Sequence, residues 1–164
     1  MQRKILMLAL ACAAAASMAT SAQGAGQAMD EILAHYVKIQ QTLAADSSVG
    51  VKAEAQAIAQ KADALLKRNV SPDGKKPDEF KKILEEVRKG APKFNSDDIK
   101  QARKAFGELT PPLVRYVNEF EAGKGKYHVA HCPMIKKDWV QADEKIRNPY
   151  YGKSMLACGT IVSK

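Results

Sequence analysis

The chain has 164 residues, 46% of them hydrophobic, and a formal net charge of +8. That is enough for one domain with a real core. The basic excess is scattered in pairs (Lys75–Lys76, Lys81–Lys82, Lys136–Lys137) rather than gathered in a stripe. This argues against nucleic acid as a partner and reads as solvated helix faces and loops, with at most a weak attraction to anionic membrane surfaces.

Residues 1–24 read as a secretory leader. Arg3 and Lys4 form a basic start, Ile5 to Ala19 is apolar and uncharged, and small residues follow, with cleavage expected near Ala22 or Gly24. The run is too short for a membrane span, so no stable membrane insertion is expected. Ala9-Leu10-Ala11 before Cys12 is a poor lipobox. The expected address is a bacterial periplasm, and the expected mature domain is 25–164. Once the leader is set aside, the charge falls from +8 to about +6, and Met29, Met134, Met155, Cys132 and Cys158 are the sulfur residues left.

Helices are expected from 29 to 121. Ile32, Tyr36, Ile39 and Leu43 share a stripe that ends at Asp46-Ser47-Ser48. Val51, Ala55, Ile58, Ala62 and Leu65 make a second stripe, whose alanines favour close packing. "NVSPDGKKPDE" is a loop, with Pro77 suited to the first helical position. Phe80, Ile83, Leu84 and Val87 make a third helix, closed by Gly90. Ser96 is expected to cap a fourth, with Asp97 and Asp98 in its first turn. Ile99, Ala102, Phe106 and Leu109 would be its buried face. Thr110-Pro111-Pro112 should break or kink it, and Leu113, Val117 and Phe120 should continue as a further helix to "EAGKGK". The expected fold is all-α, an antiparallel bundle of about four helices. An irregular Cys/Met-rich tail over 126–164 should pack against it.

That tail carries the chemistry. Proline pushes the residue before it toward extended geometry, so Cys132 and Met134 should project to one side. His128 lies further back on that side, and His131 faces away. If Met155-Leu156-Ala157-Cys158 is a helical turn, Met155 and Cys158 share a face. Together the pairs offer two thiolates and two thioethers, and His131 or His128 could replace one of them. Thioether is rare around zinc and suits Cu(I), with Ag(I) following by the same softness. The competing reading is a Cys132–Cys158 disulfide, usual for two cysteines in an oxidising compartment, with Met134 and Met155 as core filler. The two readings can coexist as reduced and oxidised forms. Trp139, Tyr150 and Tyr151 read as packing residues, with Trp139 also suited to shield a metal. Asn148-Pro149-Tyr150-Tyr151-Gly152 reads as a turn setting the approach of Met155 and Cys158. His35 reads as a polar-face histidine.

"HCPM", then Trp139, then "IRNPYYG", then Met155-Leu156 and Cys158-Gly159 resemble a bacterial exported domain of unknown function. That domain is found free-standing and at the C-terminal end of copper/silver efflux adaptor proteins. "RKAFGEL" is also similar to it, and the resemblance runs from about Asp30 to Val162. In this chain Val140-Gln141 follows Trp139, where the family often has leucine and serine. The resemblance implies a helical bundle, heavy-metal association and an efflux adaptor or pump as protein partner. It carries over to Cys132, Pro133, Met134, Trp139, Asn148, Pro149, Tyr150, Gly152, Met155, Cys158 and Gly159. Two functions follow as expectations: Cu(I)/Ag(I) sequestration or delivery to an efflux system, or a disulfide-stapled interaction module. No nucleophile–base grouping, phosphate-cradling loop or Cys-x-x-Cys-His motif asks for an enzyme.

Overall fold

The computed structural model describes residues 3–72, 76–120 and 125–162, with side chains from Gly24 onward. Lys75, residues 121–124 of "EAGKGK" and the side chains of the expected leader up to Gln23, that of Cys12 among them, lie outside what is described. Four helices form the body: α1 (Arg3–Ala44), α2 (Val51–Arg68), α3 (Pro77–Gly90) and α4 (Ile99–Glu119). Each packs on the next, and α4 returns to α1. The stripes expected from the sequence are the buried faces, with Ile32, Ile39, Ile58, Ile83 and Leu109 fully enclosed. Among the described residues no helix is long and apolar enough to cross a membrane.

The tail corrects the all-α expectation. It forms a three-stranded antiparallel sheet of β1 (His128–Cys132), β2 (Lys137–Gln141) and β3 (Thr160–Ile161), in the order β2-β1-β3. Val129 pairs with Val140 and Cys132 with Lys137; His131 pairs with Thr160. The fold is mainly helical with this small sheet packed on α4 and α1.

Three local expectations also change. First, α4 runs unbroken through Pro111 and Pro112. Each interior proline costs about 3 kcal/mol, whereas each large side chain buried fully returns about 1.5–3 kcal/mol. Phe106, Leu109 and Leu113 are all at 0% exposure on the same helix, so tertiary burial outweighs the break. Second, the cap of α4 is Asp98, whose Oδ1 accepts the Gln101 N–H at 2.9 Å. Ser96 instead accepts the N–H of Asp98 at 3.1 Å. Third, Gly90 is right-handed, with φ of −79°, and the chain continues into a 3-10 turn, Ala91–Lys93. Its value lies in close approach: a Cβ there would stand 3.3 Å from the Leu109 Cα.

An aromatic run joins body to tail. Tyr36 of α1 stacks on Phe106 of α4 at 4.9 Å. Phe106 meets the edge of Tyr150 at 5.5 Å, and Tyr150 meets Trp139 at 6.3 Å. A buried relay runs beside it. The Val140 N–H points to the Tyr36 hydroxyl at 3.4 Å. Tyr36 bonds Thr110 Oγ1 at 2.8 Å, and Thr110 donates to the Phe106 carbonyl at 2.8 Å.

Asp98→Ala should destabilise the fold by about 1 kcal/mol in urea unfolding, and Ser96→Ala by less than half of that. Equal losses would contradict the assignment of the cap.

Candidate thiol site

The register of the sheet makes the site. Cys132 ends β1, and pairing of His131 with Thr160 sets Gly159 and Cys158 against the end of that strand. The Val162 N–H bonds the Val129 carbonyl at 2.8 Å and fixes the ladder. Gly159 has φ of +148°, and a Cβ there would stand 2.6 Å from the Trp139 ring and 3.1 Å from the His131 carbonyl. Only glycine lets the chain cross Trp139 at that height. Both cysteines are free thiols, with their sulfurs 3.2 Å apart.

The two thiols differ. Burial resists ionisation of Cys132, but hydrogen bonds from Cys158, the backbone amides of Ile135 and Met134, and the Asn148 side chain outweigh it. Its pKa lies below the ordinary thiol value. Cys158 lies above it, first because it donates to Cys132, then through burial and repulsion from that sulfur. One thiolate is therefore favoured, held by an S–H from its neighbour. Folding gains from the Cys132 thiolate once pH exceeds the unfolded value, and that gain is lost as pH falls through the folded value. Cys158 has the opposite sign.

The chain between Cys132 and β2 is a turn, so the extended geometry expected through Pro133 does not hold. Residues 133–136 reverse direction, with Lys136 at φ of +52°. This aims the amides of Met134 and Ile135 at the Cys132 sulfur and leaves the Met134 side chain 69% exposed. Met155 ends the 3-10 turn Gly152–Met155, and its carbonyl accepts the Cys158 N–H at 3.0 Å. The expected turn between the two is present, and Met155 is half-buried.

The histidines stand apart. His131 faces away from Cys132, as strand alternation requires, and its Nδ1 lies 2.6 Å from Asp138 Oδ1. His128 is on the Cys132 side but four residues away, about 13 Å along a strand. His35 contacts Glu54 at 2.5 Å on the α1–α2 side. Among the described residues no three His, Cys, Asp or Glu side chains converge as a metal site. An ion held here would rest on the two thiols and on thioether.

Asn148 organises the loop that carries Cys158. It is fully buried. Its Nδ2 donates to the Cys158 carbonyl at 2.9 Å, and its Oδ1 accepts the Tyr150 N–H at 2.9 Å. Its backbone N–H reaches the Leu156 carbonyl at 2.8 Å. Trp139 is fully buried under Gly159. Its indole N–H donates to Gln141 Oε1 at 2.8 Å. Tyr150 donates to the Asp138 carbonyl at 2.8 Å, and burial raises its pKa far above the ordinary value.

Sequence reasoning passed over Arg103 and Asp46, which hold this loop from the helical side. Arg103 Nε donates to the Pro149 carbonyl at 2.9 Å, and its Nη2 lies 2.6 Å from Asp46 Oδ1. Arg103 opens the "RKAFGEL" stretch, which was the available signal.

A family model described as "Protein of unknown function (DUF3347)" matches residues 32–125. The match covers the helical body and ends before Tyr127, so Cys132 to Gly159 and the motif expected to run to Val162 lie outside it. No curated protein and no solved structure matches the chain.

In the wild type, thiolate absorbance should rise in two steps, the lower belonging to Cys132 and the higher to Cys158. Cys158→Ala should move the lower step upward, because the S–H donor is lost while burial remains. A lower step that stays in place would contradict the hydrogen-bond account.

Proposed function

We propose that this chain, which belongs to the DUF3347 family of proteins of unknown function, captures a soft monovalent ion, Cu(I) or Ag(I), between Cys132 and Cys158. The observation that carries the reading is the pair of free sulfurs 3.2 Å apart, with hydrogen bonds lowering the pKa of Cys132. A soft cation replaces the shared proton, so binding releases protons and weakens in acid. Met155, half-buried beside Cys158, supplies a thioether, and exposed Met134 supplies a second from the turn. Zinc fits less well, since it takes four borderline ligands and no third His, Cys, Asp or Glu joins the two thiols among the described residues.

The expected leader and the resemblance of the tail support a periplasmic role, with the ion sequestered or passed to an efflux adaptor or pump. No catalytic role is assigned. A second reading rests on the same distance. The sulfurs need to approach by only about 1 Å to reach disulfide length, so Cys132–Cys158 can instead act as a staple in an interaction module accessory to an envelope complex. The two states exclude each other at one site, and oxidation would silence metal capture.

Thiol counting and Cu(I) titration against a chromogenic chelator, before and after gentle reduction, separate the readings. The reduced protein should hold one Cu(I), and either Cys132→Ser or Cys158→Ser should weaken it by about 100-fold or more. Met155→Leu should weaken it by about ten-fold. Unchanged affinity in both cysteine variants would overturn metal capture and leave the staple.

A further inference from the structure

We infer that Arg103 and Asp46 are positioning residues for Cys158, clamping the 148–158 loop to the helices so that the two sulfurs stay in contact. The inference rests on reading Cys132 and Cys158 as the functional pair. Its test uses no metal, so its failure is separable from failure of metal capture.

The clamp is made of four hydrogen bonds. Arg103 Nη2 donates to the Leu43 carbonyl at 3.0 Å, which also accepts the Asp46 N–H at 3.1 Å at the end of α1. The same nitrogen meets Asp46 Oδ1, and Nε holds the Pro149 carbonyl. Asp46 Oδ2 accepts the Lys153 N–H at 2.9 Å. Three segments distant in sequence therefore meet on one guanidinium and one carboxylate. The Arg103 side chain is 18% exposed, less than any other charged partner in the described ion pairs. The Asp46 carboxyl is held below the ordinary carboxylate range, first by its bond to Arg103.

Gly152 shows how closely the loop is seated. Its φ is +55°, and a Cβ there would overlap Asp46 Oδ1 and Arg103 Nη2. Further along α4, a Cβ on Gly107 would stand 2.9 Å from Lys137 Nζ and 3.5 Å from the Tyr150 ring. Phe106 carries Tyr150 on its face. The "RKAFGEL" stretch, residues 103–109, is thus the platform on which the tail sits.

Cys158 lies between two anchors. Its C-terminal side is held two residues on by the pairing of Thr160 with His131. Its N-terminal side is held at Pro149 and Lys153 by the clamp. A thiol tethered at both ends meets its partner at a higher effective concentration than one tethered at one end. Releasing the clamp should lower that concentration without altering any atom of either cysteine.

The full chain is equilibrated in glutathione buffers of defined ratio, and the protein disulfide is counted by alkylation and mass spectrometry. The protein dithiol reacts with oxidised glutathione to give the protein disulfide and two reduced glutathiones. Two electrons and two protons pass from the protein to glutathione. Arg103→Met and Gly152→Ala should each lower the equilibrium constant by about five-fold or more. Arg103→Lys, with one point donor in place of the fork, should fall between Arg103→Met and wild type. Arg115, ion-paired with Glu79 at 3.0 Å and Glu86 at 2.9 Å between α4 and α3, serves as the control. Arg115→Met should stay within about two-fold of wild type, since its ion pairs are with α3 and neither is with residues 148–158. A constant for Arg103→Met within about two-fold of wild type, or an equal fall in Arg115→Met, would overturn the inference. Should Arg103→Met fail to fold, Asp46→Asn and Gly152→Ala decide by the same criterion.

Discussion

The hydroxyl of Tyr36 must be satisfied inside the core, and the way it is satisfied decides where the C-terminal segment lies. An unpaired buried hydroxyl would cost about 1–3 kcal/mol. Tyr36 meets Thr110 Oγ1 on one side and the Val140 N–H on the other. The same contacts pin β2 against α4 and α1. With β2 placed, the turn at 133–136 returns the chain as β1, and β1 pairs with β3. The pairing of His131 with Thr160 brings Cys158 to the end of β1, where its sulfur lies 3.2 Å from that of Cys132.

The thiol pair balances opposing effects. Burial of Cys132 disfavours a negative charge, and four hydrogen-bond donors reverse that preference. Two of those donors are backbone amides, fixed by the turn whatever side chains it carries. The resulting site is asymmetric, with a buried thiol whose pKa is lowered and a more accessible neighbour whose pKa is raised. On the proposed reading, a soft cation entering from the Cys158 side would displace a proton from the pair. On that reading, metal capture and disulfide formation would be alternative fates of the one contact between sulfurs 3.2 Å apart.

Much of the helical body could be read from the sequence, because its apolar residues recur at helical spacing and its loops carry proline and glycine. The unbroken α4 could not, since the penalty at Pro111 and Pro112 is local while the burial of Phe106, Leu109 and Leu113 that offsets it is tertiary. The sheet was hidden for another reason. β1 is "HVAHC", buried at Val129, Ala130 and Cys132, so it lacks the alternation that marks a half-buried strand. Its turn has Lys136 at positive φ rather than asparagine or glycine. Of the candidate ligands, the cysteines come together, and Met155 is tied to Cys158 through its backbone carbonyl. His131 is turned to Asp138, and His128 is too far along the strand. Arg103 and Asp46 were invisible as a pair because nothing in local sequence links positions 57 residues apart.

X-ray absorption on the reduced protein loaded with one Cu(I) tests the central claim most directly. The account predicts a first shell made of sulfur alone, at least two atoms, that is lost in Cys132→Ser and loses one sulfur in Met155→Leu. A shell dominated by nitrogen or oxygen, or one unchanged in Cys132→Ser, would contradict it.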